Sequence, residues 1–216
     1  TGSCTVMISP DGESTMGTFL GPAPPITPDE ITEEMLSKYQ CIYIEGYLLV
    51  NEPLVRSTME KAKKLGLKVA LDLSNFNIVN AFKGMLEDII PKYVDILFSN
   101  ESEAEAFTGQ KAAEAVHTLS ELVEVSLVTL GKEGALIGSH GQFYSVPAEG
   151  GKPVDTTGAG DNFAAGFLYG QSIGASLVQS ARIGSMLAGY VIDVVGPEIP
   201  YDKWEQIKLK VKGILA

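Results

Sequence analysis

Along most of this chain, short apolar runs of strand length alternate with longer stretches of helical period, and that alternation admits few folds. Strands are expected over 41–47, with Cys41-Ile42-Tyr43-Ile44 as its apolar part, and over 67–73, 94–98 and 125–130. Between them, Asn51 can cap a helix that runs to about residue 65 and closes at Gly66. Further helices are expected over 77–90, 101–107 and 111–123. Strands separated by helices cannot pair as hairpins. They imply an α/β fold with a mostly parallel sheet and helices on both faces. Ligands of such sheets sit at the carboxyl ends of the strands, so candidate residues are judged by whether they fall there.

The ends of the chain read differently. Residues 3–8 and 14–20 read as two strands joined by a turn at Pro10-Asp11-Gly12, followed by a breaking loop over 21–25. A helix then opens with Thr27 as N-cap, Pro28 at its first position and Glu30 closing a capping box. Downstream, 134–138 and 142–146 read as a hairpin about Ser139-His140-Gly141. Helices follow over about 160–171, over 175–194 and from 202, the last packed by Tyr201 and Trp204. No repeat or linker divides the chain, so one domain over 1–216 is expected.

Charge narrows the partners. Sixteen Lys and Arg against 27 Asp and Glu give a net charge of -11, which argues against nucleic acid. A phosphate ligand is still possible, because a few backbone N–H groups and a metal can hold one locally. Cys4 and Cys41 match no zinc spacing and form no disulfide framework, and Cys41 reads as a buried free thiol. No apolar run reaches membrane-spanning length and no secretory leader is seen, so a cytoplasmic protein with no membrane partner is expected.

The strongest chemical signal is Asp155-Thr156-Thr157-Gly158-Ala159-Gly160-Asp161, where a strand end passes into a helix. Gly158 and Gly160 remove side chains where backbone N–H groups must approach a ligand, and the helix N-terminus favours negative charge. Asp161, at the helix start, is placed to accept a proton from an attacking alcohol. An ordinary glycine turn with Asp161 as a cap explains the same residues. The segment is not a Walker loop, because no Gly-Lys-Ser/Thr follows. Nor is it a dinucleotide fingerprint, because Phe163 stands at the third glycine position.

Residues 155–166, ending Asn162-Phe163-Ala164-Ala165-Gly166, closely resemble the C-terminal signature of the ribokinase-like (PfkB) carbohydrate and nucleoside kinases. The resemblance implies a ribokinase-like three-layer sandwich with a small β lid, to which residues 1–21 contribute strands. It makes Asp161 the catalytic base and Gly158, Ala159 and Gly160 the anion hole. Asp155 and Thr157 match positions that hold a monovalent cation such as K⁺ in many members, and backbone groups near Gly196 form its other side.

Three more sites join this reading. Asn100 and Glu103 follow a strand and share one face of a first helical turn. Either they form a capping box or they order a hydrated Mg²⁺. With Phe107-Thr108-Gly109 they resemble the family's Asn-x-x-Glu element, which orders Mg²⁺ and the phosphates. Thr129, Gly131 and Gly134 suit any tight turn, and resemble the family's Thr-x-Gly-x-x-Gly nucleotide loop. Ser185 aligns loosely with an adenine-contacting position. Asp72, at a strand end, either faces the cleft or begins a turn. Lys132 either lies near the phosphates or is an exposed lysine, and His117 and His140 read as exposed or structural.

The resemblance therefore implies an ATP- and Mg²⁺-dependent kinase for a primary hydroxyl of a sugar or nucleoside, of ribokinase, adenosine kinase or fructokinase type. The tone of 1–5, 19–23 and 163–170 is closest to bacterial adenosine-kinase-like members. A binding relative without turnover is the alternative. The match covers the later two-thirds of a usual member, so a fragment is expected. The first strands, much of the lid and an Asp for the sugar hydroxyls are not in this chain. Lid strands in the family mediate dimers, so a homodimer is implied.

Overall fold

The structure is a computed structural model that describes residues 2–9, 14–19, 26–150 and 153–216. The expected turn at 10–12 and the loop at 21–25 lie outside the described residues. Backbone contacts divide the chain into two compact units. One comprises Thr1–Ala23, Gly131–Ala135 and Ser145–Ala216, here the helical unit. The other comprises Pro24–Leu130 and Leu136–Tyr144, here the sheet unit.

The amino-terminal strands form as expected. β1 (Ser3–Ile8) and β2 (Ser14–Phe19) make a two-stranded antiparallel ribbon in which Ser3 is opposite Phe19 and Ile8 opposite Ser14. Val6, Met7, Ile8, Met16 and Phe19 are all exposed on it.

The sheet unit begins with a departure from expectation. The capping box of Thr27 and Glu30 is present, with the Thr27 N–H donating to Glu30 Oε2 at 2.7 Å. It caps only a 3-10 turn, Pro28–Glu30, because Thr32 then caps a second, short helix, α1 (Glu33–Leu36). Two capping threonines five residues apart break what the sequence pattern joins. β3 (Cys41–Glu45), β4 (Lys68–Asp72), β5 (Ile96–Asn100) and β6 (Val125–Thr129) are parallel neighbours, and β7 (Ala135–Ser139) and β8 (Gln142–Val146) extend the sheet in that order. The last two are joined by His140 and Gly141, both at positive φ, as a two-residue hairpin turn requires. α2 (Glu52–Lys64), capped by Asn51, packs on β3 and β4. The helix expected over 77–90 divides at Phe82 into α3 (Phe76–Ala81) and α4 (Lys83–Tyr93). α5 (Glu101–Thr108) and α6 (Ala112–Ser120) follow β5 and pack on β5 and β6. Met59, Val69, Leu71, Leu86, Ile89 and Leu97 are fully buried in the resulting core. Cys41 is only half-buried, and burial raises its thiol pKa.

The helical unit has its own core. α7 (Ala159–Ser172) lies against α8 (Leu177–Val191), and α9 (Trp204–Leu215) packs on α8. α9 contributes Ile207 and Ile214 to this core rather than Tyr201, which is 93% exposed. The α7–α8 contact depends on missing side chains. A Cβ on Gly166 would lie 2.7 Å from Gly184 Cα, and one on Gly184 would lie 2.5 Å from the Phe163 carbonyl oxygen. Gly184→Ala should therefore lower Tm, because overpacking costs about 1–3 kcal/mol. Gly213→Ala on α9 meets nothing within 4 Å, and should raise stability by up to about 1 kcal/mol. Thermal melts of the two variants check both signs.

Candidate active site

In the sheet unit, the parallel register places the candidate residues at one edge. Asn100 is opposite Thr129, and Asp72 is opposite Phe98 and Glu45, so all the strand ends carry polar groups on the carboxyl side. Asn100 and Glu103 form the capping box in full. Asn100 Oδ1 accepts from the Glu103 N–H at 3.0 Å, and Glu103 accepts from the Asn100 N–H at 2.8 Å and from Nδ2 at 2.7 Å. Glu103 is only 4% exposed. Burial is the main reason that its pKa is raised to about 7. The hydrogen bonds from Asn100 work against that rise, and the nearby Asp72 carboxylate adds to it.

Asp72 begins a turn, as one of its two readings has it. Its Oδ1 accepts from the Ser74 N–H at 2.7 Å, which makes a turn, and its charge reaches Glu103. Its Oδ2 accepts from the Tyr43 hydroxyl at 3.0 Å, a partner that no local pattern in the sequence signals. Ser74 sits at φ 63, and its Oγ accepts from the Gly46 N–H at 2.7 Å, which holds the turn in place.

Among the described residues, no cluster of three or more His, Cys, Asp or Glu groups makes a dedicated metal cage. Mg²⁺ does not need one, because it keeps several waters and takes one or two carboxylates plus phosphates. A buried glutamate with a second carboxylate nearby, and no Lys or Arg among its described partners, fits such an ion.

In the helical unit, the segment 155–162 is tied to 196–197. Asp155, 1% exposed, accepts from the Thr157 N–H at 2.9 Å and from the Gly196 N–H at 2.8 Å. Its pKa is lowered, first by the adjacent Thr157 hydroxyl and then by these N–H groups. Thr157 Oγ1 is near enough to polarise the carboxylate, yet it is buried and makes no hydrogen bond of normal geometry. An orphaned buried oxygen beside a buried carboxylate fits a cation.

Gly158 is the N-cap of α7 at φ 79, and a Cβ there would lie 2.8 Å from Pro197 Cβ. Glycine is thus required both by conformation and by contact. Gly160 is different: a Cβ there meets nothing within 4 Å. Nothing in its own unit requires glycine at the exposed second position of a helix, so the open space is available to a ligand. The Ala159 N–H donates to the Thr156 carbonyl at 3.2 Å, whereas no acceptor for the N–H groups of Gly160 and Asp161 is found among the described residues. Asp161 is exposed, in the first turn.

The nucleotide-loop candidates divide by role. Thr129 ends β6, with its hydroxyl 3.4 Å from the Ser99 carbonyl. Gly131 at φ 54 and Gly134 at φ 103 bracket a 3-10 turn. A Cβ on Gly134 would strike the Val146 carbonyl at 1.9 Å, so packing alone requires that glycine. Ser185 is buried. Its hydroxyl donates to the Pro147 carbonyl at 2.9 Å and accepts from the Glu149 N–H at 3.0 Å, so it holds the 147–149 loop. A cavity of about 300 Å³ beside that loop is lined by Glu149, Gly150, Met186 and Gly189 among others. A larger groove of about 580 Å³, lined by Tyr169, Leu187, Trp204 and Val211 among others, contains none of the expected site residues. Lys132 is exposed, and His117 is exposed with its ring tilted against that of Phe143.

The family model described as pfkB family carbohydrate kinase matches residues 1–204. Adenosine kinase of Saccharomyces cerevisiae is 32% identical over 94% of this chain and 64% of its own length. A solved structure of a probable sugar kinase from Rhizobium etli CFN 42 is 30% identical with a TM-score of 0.92, covering 99% of this chain and 66% of that one. Adenosine kinase from Sinorhizobium meliloti gives 29%, a TM-score of 0.91, and coverage of 97% and 66%. The chain thus spans about two thirds of the length of these relatives. No helix among the described residues is long and apolar enough to cross a membrane.

The raised Glu103 pKa has a signed consequence. Between its ordinary 4.5 and about 7 the folded state binds the extra proton. The stability this contributes is full below 4.5 and is lost as pH rises through 7. At 1.36 kcal/mol per unit this is roughly 3 kcal/mol. In the absence of metal, Glu103→Gln should flatten the fall in stability between pH 4.5 and 8, measured by denaturant titration at each pH.

Proposed function

Because this chain belongs to the pfkB carbohydrate kinase family, we propose that this protein transfers the γ-phosphoryl group of ATP to a primary hydroxyl of a sugar or nucleoside. The observation that carries this reading is the start of α7, where an exposed carboxylate and N–H groups without acceptors are presented together on an open glycine turn. Asp161 takes the hydroxyl proton, and the hydroxyl oxygen attacks the γ-phosphorus. The bond to the β-phosphate oxygen breaks as ADP leaves. The N–H groups of Gly160 and Asp161, with the α7 dipole, stabilise the charge on the transferring group. In this reading Gly158 shapes the turn, and the Ala159 N–H joins only if it leaves Thr156.

Mg²⁺ supplies screening of phosphate charge when bound, and Asn100 and Glu103 are the residues that would order it. Thr129 and Gly131 approach the nucleotide, and Gly134 shapes their turn by its packing on Val146. Ser185 serves it indirectly, by fixing the 147–149 loop. A monovalent cation such as K⁺ would lie against Asp155, the unused Thr157 Oγ1 and backbone near Gly196. Relatives named adenosine kinase favour a nucleoside as the first substrate to try.

The test is a phosphorylation assay on the full-length protein with Mg-ATP and adenosine, ribose or fructose, in K⁺ and in a K⁺-free buffer. Asp161→Asn should reduce kcat by about two to four orders of magnitude, and removal of K⁺ should lower the rate. Near wild-type turnover by Asp161→Asn would refute the assignment of the base. ATP binding without phosphorylation of any alcohol would point to a binding protein instead.

Gly160→Ala separates function from stability. The added methyl meets nothing in its own unit and improves helix propensity by up to about 1 kcal/mol. Tm should rise while kcat falls, as read by a thermal melt and the same assay. A rise in both would show that the space at Gly160 is not used by the ligand.

A further inference from the structure

We infer that Asn162 is a positioning residue for this reaction, holding the anion-binding turn through the Gly158 carbonyl and the 196–197 segment. The inference rests on the phosphotransferase reading, and its amide-exchange arm below is independent of that reading. The Gly158 carbonyl accepts twice from one residue, from the Asn162 backbone N–H at 2.9 Å and from its Nδ2 at 2.9 Å. The same Nδ2 lies 3.4 Å from the Pro197 carbonyl. Two carbonyl oxygens facing one amide leave no choice of orientation, since only the NH₂ end can donate to both.

Asn162 thereby completes a set of ties between 155–162 and 196–197. Asp155 takes the Gly196 N–H at one end, Gly158 rests on Pro197 in the middle, and Asn162 reaches Pro197 at the other end. The peptide unit is planar, so fixing the Gly158 carbonyl also fixes the Gly158–Ala159 plane from which the next N–H groups depart. The Gly160 and Asp161 N–H groups and the Asp161 carboxylate lie between the two bonded ends, Gly158 and Asn162. A rotated turn would displace these donors and the base together, and misplacement of about 1 Å costs on the order of 10²-fold in rate.

The experiment compares Asn162→Ala and Asn162→Asp with the wild-type full-length protein. Asn162 is only partly buried, so both variants should fold with Tm close to wild type. For Asn162→Ala, kcat should fall about tenfold or more, with KM for ATP and for the alcohol within about twofold. A kcat within twofold of wild type, or a loss expressed only in KM, would overturn the proposal.

Asn162→Asp places a carboxylate against two carbonyl oxygens at neutral pH. Protonated, it can again donate to Gly158. Its activity relative to wild type should therefore rise as pH falls from 8 to 5.5, and a flat ratio would overturn the proposal. The second readout needs no substrate: hydrogen exchange at the Ala159 amide, which donates to the Thr156 carbonyl at 3.2 Å, should speed up in Asn162→Ala. Unchanged exchange refutes the tie whether or not the protein phosphorylates anything. Faster exchange in a protein without kinase activity would retain the tie and reject the phosphotransferase reading.

Discussion

The buried carboxylate of Asp155 is the constraint on which the turn at the start of α7 depends. It lies at the start of the turn, and its two oxygens receive N–H groups from opposite sides, Thr157 within the turn and Gly196 beyond α8. A buried carboxylate without such donors would be expensive, and with them it is a cross-link. Its pKa is lowered first by the Thr157 hydroxyl and then by these same N–H contacts. Everything downstream is referred to that point. Gly158 turns left-handed against Pro197, α7 begins, and the Gly160 and Asp161 N–H groups follow with no acceptor among the described residues.

The turn would be of little use on a helix free to shift. α7 is fixed along its length by α8, where Gly166 meets Gly184 and Gly170 meets Ser180 closely enough to exclude any Cβ. Interiors packed in this way transmit displacement rather than absorb it. The N-terminus of α7 therefore inherits its position from contacts two and three turns away. Ser185, on the same stretch of α8, extends this rigidity to the 147–149 loop through both of its hydroxyl bonds. In the sheet unit the arrangement is different but equivalent. Hydrogen bonding of parallel strands puts Asp72, Asn100 and Thr129 at one edge without any special packing.

Much of this was legible from local pattern. The alternation of strands and helices, the Asn51 and Asn100 caps, the His140-Gly141 turn and the start of α7 all rest on interactions within a few residues, which spacing records. The breaks were not legible. Thr27 and Thr32 each cap their own turn, and Phe82 divides α3 from α4, where periodicity continues across both. Nor could spacing reveal the long-range partners. Tyr43 on Asp72, Gly196 on Asp155, and Asn162 on Pro197 join residues 29, 41 and 35 apart. The exposure of Tyr201 was missed for a related reason, since an aromatic residue carries no local mark of which side of a turn it will occupy.

Two buried carboxylates in this chain have their pKa values displaced in opposite directions, and the contrast assigns their roles. Asp155 has donors on both oxygens from segments far apart in sequence, so its charge is favoured and it can serve as a fixed tie. Glu103 also accepts two hydrogen bonds, but both come from Asn100, and they do not offset burial and the adjacent Asp72 charge. A carboxylate displaced that far upward is costly to the folded protein when ionised near neutral pH. On the proposal that Mg²⁺ binds here, the same site would become favourable once the cation answers both acidic groups, because the charge that opposes folding would then be the charge that binds. Stability lost at Glu103 in the metal-free protein would in this sense be affinity held in reserve for the ion, whereas Asp155 owes its contribution to donors within the chain.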